Sequence, residues 1–125
     1  MAHLDDRAHA PQPRRQQPFT FYAAGGRVYA RNVDQKVIDL GELRQDGGAW
    51  SFRLDGNQQS GNGFFTPEEA LREIGRGVRF LWLDGQFTAV ADARDGGGLN
   101  LDGAPQVEIV LDELKPGEPI VDATV

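Results

Sequence analysis

Thr66-Pro67-Glu68-Glu69-Ala70-Leu71-Arg72-Glu73-Ile74-Gly75-Arg76-Gly77 is the stretch that decides the fold. Thr66 suits an N-cap, and Pro67 fits a first helical position because its missing N–H would have no partner there. Glu69 stands where a capping box needs it, and Phe65 stands where a hydrophobic staple to Ala70 or Leu71 would begin. Ala70, Leu71 and Ile74 form a narrow apolar stripe at helical spacing. Gly75 and Gly77 read as the stop, with Arg72 and Arg76 complementing the negative end. Such a short helix is unstable alone, so it must lie on something, and its surroundings predict a sheet.

Both sides of the helix read as short strands between glycine turns. Phe19–Ala23 and Arg27–Ala30 flank Gly25-Gly26, a hairpin signal. Lys36–Arg44 gives a third run, and Asp46-Gly47-Gly48 turns the chain into Trp50–Leu54, where Trp50, Phe52 and Leu54 alternate with Ser51 and Arg53. A polar loop from Asp55-Gly56 through Asn62 leads to the helix. Beyond it, Val78–Leu83 is apolar on both faces and reads as a central strand covered on both sides. Asp84-Gly85 reads as a hairpin turn with Gln86–Ala91 returning, and Gln106–Leu111 alternates again. Lys115-Pro116-Gly117-Glu118-Pro119 is a turn, and Ile120–Val125 reads as a final strand or extended tail.

The expected fold is therefore α+β: an antiparallel meander or partly closed small barrel, about seven strands with one short helix over 66–76. The expected organisation is a flexible Pro/Arg/Gln-rich arm over 1–18, one domain over 19–114, and an extended tail over 115–125. With 125 residues and 39% apolar composition, one modest core is expected. No apolar run approaches a membrane span, and no signal-peptide core stands at the N-terminus, so a cytoplasmic or virion setting is expected.

The net charge of −6 is unevenly placed. Residues 1–18 carry +1, residues 19–91 carry −1, and residues 92–125 carry −6. The acidity belongs to the C-terminal quarter.

The chain has no cysteine, so disulfides, thiolate zinc sites and cysteine nucleophiles are excluded. His3 and His9 are its two histidines, and both stand in the arm, which leaves Ser51 and Ser60 without a core histidine as base. Asp92, Asp95, Asn100 and Asp102 surround a glycine-rich loop, but their spacing matches no calcium loop and reads as a solvated turn. Gly61-Asn62-Gly63 before a helix suggests a phosphate loop, yet no Lys-Ser/Thr follows and Glu68 and Glu69 would repel phosphate. No cofactor, metal or catalytic site is expected.

Trp50 and Arg53 on a strand, followed by Gly63-Phe64-Phe65-Thr66-Pro67-Glu68-Glu69-Ala70, resemble the plant AP2-type DNA-binding domain over residues 50–70. That resemblance implies DNA contacts from the sheet, but the family's run of basic sheet residues is missing here. An acidic chain also starts at a disadvantage for phosphate. The leading expectation is instead a non-enzymatic structural or assembly protein acting through its terminal arms, for example a capsid-decoration or tail component of a virus or phage, with homo-oligomers. The second is an acidic module or inhibitor that occupies a basic, nucleic-acid-binding surface. A small nucleic-acid-binding domain is the third. The partner-binding candidates are Arg14 and Arg15 in the arm, the edge formed by Arg72, Arg76 and Arg79, and the acidic pair Asp112 and Glu113.

Overall fold

The structure, a computed structural model, describes residues 16–113. Six strands form one sheet: β1 (Gln16–Ala24), β2 (Arg27–Arg31), β3 (Val37–Asp46), β4 (Ala49–Leu54), β5 (Ser60–Phe64) and β6 (Gln106–Asp112). Two helices, α1 (Pro67–Gly77) and α2 (Phe80–Ala89), come between β5 and β6. The spatial order is β5-β4-β3-β2-β1-β6, with every neighbouring pair antiparallel. α1 touches β5 and β6, the two opposite edges, as well as β1 and β4. One helix can reach both edges only if the sheet curls around it, so the sheet is a half-barrel with α1 in its hollow.

α1 forms as its sequence dictates. Thr66 Oγ1 accepts the Glu69 N–H at 3.1 Å, and Glu69 Oε1 accepts the Phe65 N–H at 2.8 Å. Ala70, Leu71 and Ile74 are fully buried. The helix runs through Gly75 and ends where the Val78 N–H donates to the Ile74 carbonyl. The staple from Phe65 does not form: that ring is 80% exposed. Strand alternation turns Phe64 inward, where it stacks on Phe52 at 5.8 Å, and Phe65 must then point out.

The strand and hairpin expected over residues 78–91 are corrected to a helix. Phe80, Leu83 and Phe87 are buried at helical spacing, while Leu81, Asp84, Gly85 and Thr88 face solvent. The rings of Phe80 and Phe87 lie 6.2 and 5.8 Å from that of Phe19, and this docking outweighs the turn preference of Asp84-Gly85. Lys36 Nζ donates to the Phe87 carbonyl near the helix end, where a cation suits the exposed carbonyls. The polar loop before α1 is also corrected in part. Residues 60–64 are β5, closed onto β4 by the Leu54 N–H to Gln59 carbonyl bond and an Asn57 turn. The count is thus six strands and two helices among the described residues.

Two local devices shape the sheet. Gly25 and Gly26 take left-handed φ values of 58° and 80°, the two-residue turn that the twist of β1 and β2 favours. Gly41 sits at an irregularity in β3, at φ 156°. There its N–H donates to Asp39 Oδ1, and Asp39 in turn holds the Arg27 guanidinium, which also reaches Asp55 at 2.7 Å. These contacts raise the Arg27 pKa, chiefly through the bond to Asp39, and burial raises that of neighbouring Tyr29.

Between α2 and β6 the chain is tied to the β2–β3 turn. The Ala93 N–H donates to the Val37 carbonyl at 2.6 Å, and the Arg94 guanidinium donates to the Gln35 carbonyl. Arg94 also clasps Asp92 through its side chain and its N–H, which holds the Asp92 carboxyl below its ordinary 3.8, at about 2.

Two predictions follow from these contacts. A β-carbon on Gly41 would stand 2.4 Å from the Arg53 carbonyl oxygen and 2.7 Å from Leu54 Cα, both backbone. Gly41→Ala should therefore cost about 3 kcal/mol in denaturant unfolding. Gly96→Ala, with nothing within 4 Å, should be near neutral. Asp92 has a depressed folded pKa, so its contribution is present above about pH 4 and lost as pH falls toward 2. Denaturant midpoints measured across that window should fall more steeply for the natural chain than for Asp92→Asn.

Candidate protein-interaction edge

The feature that most invites a partner is the outer edge of β6. The Ala23 N–H donates to the Pro105 carbonyl at 3.0 Å, which sets the phase of the β1–β6 ladder. In the register that pairs Tyr22 with Gln106 and Gln16 with Asp112, residues 107, 109 and 111 then bond to β1. The N–H and C=O groups of Gln106, Glu108, Val110 and Asp112 point away from the sheet. No described strand lies beyond them. The same phase explains Pro18, whose missing N–H would point to the β2 side, beyond the end of that strand.

The two edges of the sheet differ. β5 is Ser60-Gly61-Asn62-Gly63-Phe64, short, rich in glycine and irregular in its pairing, which makes it a poor template. β6 is Gln106-Val107-Glu108-Ile109-Val110-Leu111-Asp112, regular and rich in β-branched residues, and Val110 is 55% exposed. Only Glu108 and the terminal Asp112 charge it. Of the two described edges it is the better template for a further strand.

A groove runs along this edge between β6 and α1, lined by Arg72, Gly75, Arg76, Glu108, Ile109 and Val110. Gly75 sets its depth. A β-carbon there would stand 2.6 Å from Ile109 Cδ1, so glycine lets the helix settle onto β6. Arg72 and Arg76, one helical turn apart, form the outer wall, with Arg76 3.6 Å from Glu73. Arg79 is not among the groove residues. It is the N-cap position of α2, and its carbonyl accepts the Leu83 N–H at 3.0 Å. The structure thus brings two of the three expected arginines together on one wall.

Asp112 and Glu113 stand at the end of β6, and both hold side chains of β1. Gln16 Nε2 donates to Asp112 Oδ1 at 3.0 Å, and Gln17 Nε2 donates to Glu113 Oε2 at 2.8 Å. These bonds brace the corner where β1 begins beside the end of β6. β1 begins at Gln16, inside the stretch that the sequence assigns to the arm. Arg14 and Arg15 lie outside the described residues, as do the tail from 114 and both histidines.

Other surfaces offer less. The face opposite the helices carries Arg27, Arg31, Arg44 and Arg53, but Asp39, Glu42, Asp55 and Glu108 balance them. Arg27 is paired with two of these acids, Arg44 with Glu42, and Arg31 lies over the Tyr22 ring at 5.4 Å. The basic and acidic side chains of this face are therefore interspersed rather than gathered into one basic patch. Around the glycine-rich loop, Asp92 is engaged by Arg94, and Asn100 Oδ1 accepts the Asp102 N–H. No group of three or more metal-ligating side chains converges among the described residues. Among the same residues, no helix is long and apolar enough to cross a membrane.

The sequence singles out the arginines and the acidic pair, and not the backbone groups of Glu108 and Val110. The alternation of Val107, Ile109 and Leu111 signalled a strand, and nothing in it signalled an edge.

If Gly75 sets the approach of α1 to β6, Gly75→Ala should lower stability by about 1–2 kcal/mol despite alanine's better helix propensity. Trimming the opposing side chain in Gly75→Ala/Ile109→Val should recover part of the loss. A double-mutant cycle by urea unfolding should give a coupling of about 0.5 kcal/mol or more.

Comparison with protein-family models, curated proteins and solved structures finds no match to this chain.

Proposed function

We propose that the chain is a non-enzymatic assembly protein that joins its neighbours through the corner where β1 begins and β6 ends. The observation that carries this reading is the pairing of Gln16 with Asp112. The first and last described strands are neighbours, so Gln16 and Glu113, where the described residues begin and end, stand at one braced corner. A braced corner on a curled, closely packed domain suits contact with other chains. The narrower expectation, a capsid-decoration or tail component of a virion, stays within this proposal and rests on the same arrangement.

The shifted ionisations among the described residues have structural causes. Arg27, Tyr29, Asp92 and Arg94 owe their shifts to ion pairs and burial that tie turns and strands together. None of them lines the groove beside β6. An acidic inhibitor or a nucleic-acid binder gains less from the geometry. Asp112 and Glu113 are hydrogen-bonded within the chain, and the basic residues of the sheet are balanced by acids.

Light scattering with native mass spectrometry tests the proposal. The full chain should assemble beyond the monomer, and a chain lacking residues 1–15 should shift toward the monomer with its fold intact by circular dichroism. A monomer in both cases, with no partner chain retained, would overturn it.

A further inference from the structure

We infer that the outer edge of β6 takes up an extended acidic segment of a partner protein, which adds to the sheet as a strand with its acidic side chains against Arg72 and Arg76. This deepens the assembly reading, on which it rests, by naming the chemistry of one partner segment. The edge supplies the first part of the argument. The N–H and C=O groups of Glu108 and Val110 point away from β1, and no described strand lies beyond them. Such a row needs donors and acceptors alternating along one line, which extended backbone offers and a phosphate group does not. β6 is also regular, without the glycine-rich irregularity of β5.

The groove supplies the second part, because its wall is cationic. Arg72 and Arg76 are exposed on the outer side of α1 and line the groove together. Arg76 stands 3.6 Å from Glu73, and Arg72 pairs with no acid among the described residues. Residues of an added strand that lie opposite Val107, Ile109 and Leu111 turn toward α1, as those three residues do. Acids at alternate positions of a strand are about 6.8 Å apart, and residues one helical turn apart, as these arginines are, about 6 Å. Two carboxylates so placed each meet one guanidinium.

Glu108 makes the alternation necessary. It lies with Val110 on the other face of β6, beside the residues of the added strand that point away from α1. An acid at those positions would meet Glu108, so they suit threonine or a cation. A second copy of the chain fits less well. The two-fold axis of an antiparallel pair of identical strands is perpendicular to the sheet. A copy paired through its own β6 would therefore bring its Arg72 and Arg76 to the same side, like charge against like charge.

Amide hydrogen exchange of the full chain by NMR tests the inference, with the capped peptide Thr-Glu-Thr-Glu-Thr-Glu-Thr as probe. Without peptide, the amides of Glu108 and Val110 should exchange readily, while those of Val107, Ile109 and Leu111, bonded to β1, stay protected. Saturating peptide should slow exchange at Glu108 and Val110 about tenfold or more and leave the other three unchanged. The double variant Arg72→Gln/Arg76→Gln, altered only on an exposed wall, should weaken peptide binding about tenfold. A heptamer of glutamate, with more charge but acids on both faces, should bind more weakly than the alternating peptide. Outward amides protected before peptide is added would mean an edge already filled and would overturn the inference. Tighter binding of the glutamate heptamer, or binding indifferent to the double variant, would overturn it too. A chain that assembles beyond the monomer yet binds no peptide would overturn this inference and leave the assembly reading standing.

Discussion

The structure depends on the burial of one helix inside a curled sheet. Ala70, Leu71 and Ile74 are fully buried, and α1 meets strands at both edges. Each strand alone offers one apolar face, and that face needs a cover. α1 supplies the cover for the hollow, while α2 closes it with Phe80, Leu83 and Phe87 beside Phe19. No buried polar or charged residue interrupts this core among the described residues. Specificity therefore comes from shape: Gly75 admits Ile109, and Gly41 admits the backbone of β4.

Much of this fold is legible in local sequence because its signals are local. The cap of α1, the Gly25-Gly26 turn, the alternation of Trp50 to Leu54 and the antiparallel class all follow from neighbours within a few positions. The rest is set by tertiary contacts. Residues 78–91 are apolar on nearly every side, so strand and helix patterns both fit, and the rings available on Phe19 decide between them. Ser60-Gly61-Asn62-Gly63 has little strand propensity, and β4 draws it into the sheet. Phe65 fails as a staple because β5 reaches as far as Phe64 and fixes which of the two rings turns inward.

The candidate site divides in the same way. Arg72 and Arg76 are one turn apart on a well-specified helix, so their common wall can be read from spacing. Asp112 and Glu113 are legible as charges, but their partners, Gln16 and Gln17, lie at the other end of the chain. Edge position is a property of strand order, and no residue of β6 encodes its place at the end of the order of described strands. The phase of its outward amides depends on a single backbone bond, from Ala23 to Pro105.

The closing of β6 onto β1 also fixes an order of events in time. The bond between Gln16 and Asp112 spans 96 positions in the chain, whereas β1 to β5 pair through successive short turns. Local hairpins close quickly, and distant pairings must first overcome the entropy of a long loop. On a ribosome, β1 through α2 emerge before β6 exists. During that interval the exposed edge is that of β1, with Phe19 and Phe21 unshielded on one side. The nascent chain must keep that flank unpaired until β6 arrives, and a wrong strand meeting it first is the route to misassembly.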